Sequence, residues 1–442
     1  MTKKQAHNIQ AFKHPSIQTD GAIITDKEKI EELLTRGVDE AIEEEHLRKA
    51  LLSGKQLRIK FGIDPTASDL HLGHVVVLRK LKQFQDLGHQ VIFLIGDFTA
   101  MIGDPSGRSE TRKMLTEKEI KENMKDYIRQ AGKILDFGKI EVRYNNEWYK
   151  KKGAMFLFEL TSSVTIARAM ERDDFKKRMK DDIDVSVLEL IYPLMQGYDS
   201  VELKADVELG GRDQKFNLLM GRRVQRRYNV PEQDIMTVPL LEGMDGVKKM
   251  SKTYGNYIGL DEKPSEVYGK VMSVPDELMW KYYNLLSDVP LVEIKKMKED
   301  IRFNELNPRD VKAKLAKEIV EMLHNEKEAD RAGKEFDKVF KNKERPTEIQ
   351  EVQVTSNNPP ALSAGRQGGE AGKQVTNLLV ELGLVLSKTE ARRMVEQGGV
   401  KIDDKKIDDW KKEIKISNGM VVSVGKRRFA RVRVNTIVNK SE

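Results

Sequence analysis

Residues Arg58-Ile59-Lys60-Phe61-Gly62-Ile63 read as a strand, and from 75 to 87 apolar residues at Val75, Leu78, Leu81 and Phe84 repeat at helical spacing. Pro65 ends the strand, Ser68 or Asp69 is placed to cap the helix, and after Gly88 the run Val91-Ile92-Phe93-Leu94-Ile95 predicts a second, buried strand. Strand, helix and strand in that order need a crossover connection, so the sheet is expected to be parallel. The turn between them, Asp64-Pro65-Thr66-Ala67-Ser68-Asp69-Leu70-His71-Leu72-Gly73-His74, then faces the end of the sheet where ligands bind, with the helix's first N–H groups aimed at it.

The same patterning organises the rest. Residues 27–52 carry Ile30, Leu33, Leu34, Val38, Ala41, Leu47 and Leu51 at roughly helical spacing and predict one or two supporting helices. Residues 96–113 form a loop rich in glycine, acid and base on the ligand side of the sheet, and 185–206 read as helix, strand and return. A charged, helix-dominated stretch covers 264–340. Residues 344–374, with Asn357-Asn358-Pro359-Pro360 and four glycines, form a linker. Beyond it, an apolar helix from 375 leads to Ser387-Lys388-Thr389-Glu390, a capping box opening a second helix that Gly398-Gly399 stops. Val400-Lys401-Ile402 and Val421-Val422-Ser423-Val424-Gly425 then alternate like strands, followed by the basic turn Lys426-Arg427-Arg428-Phe429.

A chain of 442 residues has room for two or three cores. Its net charge of +7 is unevenly placed: residues 376–435 hold 14 Lys and Arg against 8 Asp and Glu. A basic module at one end of an otherwise balanced chain points to a polyanion, and no amphipathic apolar stripe accompanies it to suit a membrane, so nucleic acid is the expected partner. Without cysteine there are no disulfides or thiolate metal sites. No apolar run is long enough to span a bilayer, the first residues lack a signal-peptide core, and a cytoplasmic location is expected.

Three residues apart, His71 and His74 share one helix face, and Gly73 between them leaves bare backbone against which a flat base or sugar can lie. With no cysteine and no further histidine near in sequence, no metal site is expected there. Imidazoles in that position can donate to phosphate oxygens. Paired with Lys249-Met250-Ser251-Lys252-Thr253, this turn resembles the two signature motifs of the class I aminoacyl-tRNA synthetases, and Tyr192-x-x-x-Gln196-x-x-Asp199 narrows the resemblance to the tyrosyl-tRNA synthetases. The residues after 375 resemble the S4 RNA-binding domain.

The resemblance implies an α/β fold: an N-terminal helical extension (1–57), a Rossmann-like catalytic domain with a parallel sheet and a dimer-interface insertion (58–245), a signature loop and helical domain (246–343), the linker, and a small α/β S4 domain (375–437). It implies activation of L-tyrosine by ATP with Mg2+, transfer to tRNA(Tyr), a homodimer, and no permanently bound cofactor. Thr66, His71, Gly73 and His74 would meet phosphates and ribose, with Lys249, Met250, Lys252 and Thr253 closing over them. Arg108 and Arg112 would hold pyrophosphate and Asp213 the adenylate ribose. Tyrosine would fall to Asp104, Tyr192 and Gln196 at its amino group, Gln214 near its carboxylate and Asp199 at its phenol, with Gly62 and Asp64 on the same strand face as Lys60. Many members of the family carry tyrosine where this chain has Lys60, which either donates to the phenol oxygen or pairs with Asp199. Arg392, Arg393, Lys426, Arg427 and Arg428 would grip RNA. The alternatives are a tryptophanyl-tRNA synthetase, a small-molecule adenylyltransferase and a catalytically inactive RNA-binding relative.

Overall fold

The computed structural model describes residues 22–66, 69–105, 116–342, 344–345, 347, 349–355, 372–425 and 428–435. The chain divides into two compact units, Met1–Asp330 and Arg331–Glu442.

In the first unit the order is α1 (Lys27–Thr35), β1 (Glu40–Ile42), α2 (Glu44–Leu52), β2 (Arg58–Ile63), α3 (Leu72–Asp86), β3 (Gln90–Ile95), α4 (Thr99–Ile102), α5 (Glu117–Ala131), β4 (Glu141–Tyr144) and α6 (Asn146–Tyr149). There follow α7 (Ala154–Thr161), α8 (Ile166–Ala169), α9 (Asp173–Lys180), α10 (Val187–Leu203), β5 (Val207–Gly211), α11 (Lys215–Arg227) and β6 (Asp234–Val238). Then come α12 (Pro264–Met272), α13 (Asp276–Leu286), α14 (Leu291–Arg302), α15 (Pro308–Leu323) and α16 (Glu326–Phe340), within which the two units divide.

Six strands form one sheet in the order β1-β6-β5-β2-β3-β4, parallel except for β1, which runs antiparallel to β6. From β2 the chain builds outward to β3 and β4, then returns to lay β5 on the other side of β2. That reversal opens a crevice at the carboxyl ends of β2 and β5, where open parallel sheets bind ligands. Helix α3 buries the predicted stripe of Val75, Leu78, Leu81 and Phe84, and every residue of β3 is buried, as a strand covered on both faces must be.

Three local expectations change. His71, not Asp69, is the N-cap of α3, because its Nδ1 accepts the Gly73 amide; Ser68 lies outside the described residues. Residues 27–52 enclose β1, which completes the sheet edge on β6. Residues 187–203 form one helix rather than helix, strand and return: Ser186 and Glu189 make a capping box, and α10 runs on through Pro193. Its tight packing on α11 explains this. A Cβ on Gly197 would lie 2.9 Å from Val224 and 3.1 Å from the Cα of Gly221, so two glycines let the helices approach and tertiary packing outweighs the proline.

The second unit contains β7 (Gln350–Thr355), β8 (Lys373–Gln374), α17 (Val375–Glu381), α18 (Lys388–Glu396), β9 (Val400–Ile402), β10 (Lys405–Lys406), β11 (Glu413–Ile414), β12 (Val421–Val424) and β13 (Arg428–Asn435). Its main sheet has the order β10-β9-β12-β13-β7. Leu378, Leu379, Ala391, Val395, Val400, Val422 and Val432 form its core. The expected linker therefore contains a strand: β7 pairs parallel with β13, and its Val354 is wholly buried in that core.

Candidate active site

The crevice at the switch point opens into a cavity of about 700 Å³ that gathers residues from β2, α3, α10, the end of β5 and the segment 249–254. It is lined by Thr66, His71, Gly73, His74, Asp213, Lys249, Met250 and Thr253 at one end, and by Lys60, Gly62, Asp64, Asp104, Tyr192, Gln196, Asp199 and Gln214 at the other. Lys252 stands beside the first group through an ion pair with Asp69. Arg108 and Arg112 lie outside the described residues.

At the first turn of α3 the two imidazoles hold one another. His71 Nδ1 accepts from the Gly73 amide at 3.2 Å, His74 Nδ1 accepts from the His71 amide at 3.2 Å, and the ring centroids stand 4.1 Å apart. A ring nitrogen that accepts carries no hydrogen, so in both neutral rings the proton sits on Nε2 and is available as a donor. Desolvation, helped by His74 and the lysines, pulls His71 down to about 2, and desolvation pulls His74 down to about 4. Both therefore act as neutral donors at pH 7. A Cβ on Gly73 would sit 2.9 Å from the His71 ring, so glycine is required for the rings to take this arrangement.

Cationic charge comes from the opposite wall. Lys249 Nζ is 3.1 Å from Asp213, and Lys252 pairs with Asp69. The segment carrying them is shaped by Asn256, which the sequence did not single out: its Oδ1 accepts the Ser251 amide at 2.9 Å, and its Nδ2 donates to Asp245 at 2.9 Å and to the Lys248 and Lys249 carbonyls. Beyond it, Leu72 N bonds to Ile258 O and Leu260 N to Leu70 O, so the lysine segment is stitched directly to the histidine turn. Gly246 and Gly255 flank the segment with φ of 71° and 65°, the left-handed turns that glycine takes most readily.

The other end is buried and acidic. Asp64 accepts from Thr99 Oγ1 at 2.8 Å and from Tyr192 Oη at 2.9 Å, while Asp104 accepts from Gln214 at 2.6 Å and Asn217 at 3.4 Å. Gly96 permits the first arrangement, since a Cβ there would collide with Asp64. Asp199 is 2 % exposed and takes Trp148 Nε1 at 3.0 Å on one oxygen and Asn145 Nδ2 at 3.3 Å on the other. Burial raises its carboxyl to about 7, against the pull of nearby Lys60. Trp148 and Asn145 escaped the sequence reading because neither belongs to a motif; both sit beyond β4, brought in by the fold. Lys60 does not pair with Asp199: its ion pair is with Glu208 at 2.8 Å, and its remaining donors go to Gln196 O and Ser200 Oγ.

In the second unit, Arg392 and Arg393 are exposed on α18, and Arg428 joins them through Glu390 at 2.9 Å. Arg392 lies over the Trp410 ring at 4.7 Å, an aromatic neighbour the sequence did not suggest. Lys426 and Arg427 lie outside the described residues. Among the described residues no three His, Asp or Glu side chains converge as a metal site, and no helix is long and apolar enough to cross a membrane.

A parallel sheet whose switch point joins a histidine turn to a lysine loop has the architecture of a class I aminoacyl-tRNA synthetase, and residues 52–341 match the family model of tRNA synthetases class I (W and Y), with 376–418 matching the S4 domain. That model spans two amino-acid specificities. Curated relatives resolve them: a tyrosine–tRNA ligase of Ralstonia nicotianae is 50 % identical over 91 % of this chain and 99 % of its own, and one of Thermotoga maritima is 47 % identical over 92 % and 98 %. Among solved structures, the tyrosyl-tRNA synthetase of Archaeoglobus fulgidus complexed with L-tyrosine superposes with a TM-score of 0.56 at 26 % identity, covering 69 % of this chain and 98 % of its own. A C-terminally truncated mitochondrial tyrosyl-tRNA synthetase of Aspergillus nidulans gives 0.61 at 25 %, covering 71 % and 95 %. The chain belongs to the tyrosine–tRNA ligase family, and the tryptophan, adenylyltransferase and inactive readings give way.

Proposed function

We propose that the chain joins L-tyrosine to tRNA(Tyr) in two steps within this cavity. A tyrosine carboxylate oxygen attacks the α-phosphorus of ATP, the bond to pyrophosphate breaks, and tyrosyl-adenylate remains. The 3′-terminal ribose hydroxyl of the tRNA then attacks the carbonyl carbon, loses its proton, and AMP leaves. An ionised carboxylate needs no strong base in the first step; alignment and positive charge on the departing pyrophosphate supply the acceleration.

The observation that carries this reading is the convergence on one cavity of two neutral histidine donors, Lys249 with Lys252 beside it, and a buried acidic pocket. His71 and His74 donate through Nε2 to the phosphates, beside Thr66 and the bare backbone of Gly73. Lys249, Lys252 and Thr253 exchange their resting partners for phosphate oxygens, Met250 packs beneath them, and Arg108 and Arg112 hold pyrophosphate. Asp213 takes the ribose. Asp104, Tyr192 and Gln196 receive the ammonium group, Gln214 lies by the carboxylate, and Asp199 accepts from the phenol, with Gly62 and Asp64 forming the wall. Mg2+ enters with ATP as part of the substrate. Exchange of pyrophosphate into ATP should depend on tyrosine alone among the twenty amino acids; equal support by tryptophan would sink the assignment.

Two copies assemble, in this reading, through the start of α7 to α10, where Met155, Phe158, Ile166 and Val187 are 67–77 % exposed on one chain. Phe158→Asp should give a monomer in sedimentation. The second unit, with Arg392, Arg393, Lys426, Arg427 and Arg428, binds the tRNA. A chain ended before Glu344, which removes β7 along with its sheet, should exchange pyrophosphate within about twofold of the full chain yet lose charging and most of the salt dependence of tRNA binding. Full-rate charging by that truncated chain would exclude a tRNA role for the unit.

A further inference from the structure

Beneath the phenol pocket lies a charged pair that no substrate contact explains. Lys60 on β2 and Glu208 on β5 stand opposite one another in the register of the two parallel strands, 0 % and 1 % exposed. Lys60 Nζ has three hydrogens and three acceptors: Glu208 Oε1 at 2.8 Å, Gln196 O at 2.8 Å and Ser200 Oγ at 2.7 Å. Its donors are spent, so none is left for a ligand. Glu208 in turn receives Gln196 Nε2 at 3.3 Å, Ser200 Oγ at 3.2 Å and the amide of the buried Gln233. The two ions thus grip both ends of the single turn of α10, Gln196 to Ser200, on which Asp199 stands.

We propose that Lys60 and Glu208 form a positioning clamp which fixes the Gln196–Asp199 turn and thereby sets the preference for a phenol over a phenyl ring, without either ion touching the amino acid. The idea rests on the assignment of Gln196 and Asp199 to tyrosine made above. A buried ion pair adds little stability relative to an apolar pair of similar volume, so stability does not account for it, whereas a hydrogen-bonding site selects only as well as its acceptor is placed. Lys60 also lowers the carboxyl of Asp199 from where burial alone would hold it, favouring the form that accepts.

The full chain is tested by pyrophosphate exchange with tyrosine and with phenylalanine. Lys60→Met combined with Glu208→Leu removes both charges at once; the tyrosine-to-phenylalanine ratio of kcat/KM should fall at least ~tenfold, with tyrosine KM rising and ATP KM within ~twofold. Ser200→Ala deletes one anchor of the clamp without altering charge, and the ratio should fall by about threefold. An unchanged ratio in either variant overturns the clamp. Asp199→Ala separates this from the parent assignment, because it removes the acceptor at the phenol altogether, and a preference that survives there overturns the site itself. Should the double variant not fold, the tyrosine-bound structure of the unaltered chain decides: Nζ keeps its three acceptors, and a phenol oxygen within about 3.2 Å of Nζ overturns the proposal.

Discussion

At the end of the cavity assigned above to the nucleotide the charged groups ride on loops and are partly open to water, Lys249 at 36 % and Lys252 at 30 %, each resting on a carboxylate that is itself accessible. At the end assigned above to the phenol the charges are sealed: Lys60, Glu208 and Asp199 are at most 2 % exposed, and each is held by at least two partners, those of Lys60 and Glu208 coming from different elements and those of Asp199 from residues 145–148. Under the proposed assignments the difference follows the task. Charge that must meet a developing pyrophosphate has to move onto it, and weak, screened pairs release it at little cost. Charge that must tell a hydroxyl from a hydrogen has to stay where it is, and burial within a hydrogen-bonded network keeps it there.

Several substitutions break or sharpen that contrast. Lys252→Ala should slow adenylate formation by about 100- to 1,000-fold in single turnover while tyrosine affinity, read by equilibrium dialysis, stays within about twofold. Equal losses in both would mean that the loop end also recognises the amino acid. Asp199→Ala should cost about 100-fold in kcat/KM for tyrosine and lose discrimination against phenylalanine with it, leaving ATP KM alone. Trp148→Phe removes one donor to the same carboxylate and should weaken selection about tenfold, in line with a hydrogen bond to a charged group. A preference unmoved by Trp148→Phe would assign the orientation of Asp199 to Asn145.

The smallest effect separates the two ends by pH. Above about 7 the Asp199 carboxyl is ionised and, in the proposed role, accepts the phenol hydrogen bond; below it the group is protonated and offers only a weaker, neutral acceptor, which keeps the effect under the roughly tenfold that complete loss would give. Tyrosine KM should therefore rise by about fivefold between pH 8 and pH 6. His71 and His74 titrate at about 2 and about 4, so they remain neutral over that window and ATP KM should stay flat. A parallel rise in ATP KM would place a titrating group at the nucleotide end as well.

Residues adjacent in sequence were the legible ones. The β2–α3–β3 unit and the histidine turn follow from apolar spacing over some forty residues, and Tyr192, Gln196 and Asp199 share a face because a helix puts them there. The partners of those residues were not legible. Trp148 and Asn145 reach Asp199 from 51 and 54 positions away, and Glu208 meets Lys60 only because β5 returns to lie beside β2. Such contacts are fixed by strand order and register, which leave no local period. The uninterrupted helix at 187–203 was hidden for a related reason: Pro193 argues against it locally, and the glycines that favour it act through α11.

Strand β7 sits at the edge of the C-terminal sheet, parallel to β13, although most of that unit is made between them. On the ribosome it must wait, on the order of several seconds at ordinary elongation rates, before its partner exists. During that interval Val352 and Val354 have no core to enter, and Glu351 is the one charged side chain on the strand to discourage premature pairing with another chain. The order of synthesis thus closes this sheet later than the six-stranded one, so a chain cut short before β13 would carry a complete crevice and a β7 still without its partner.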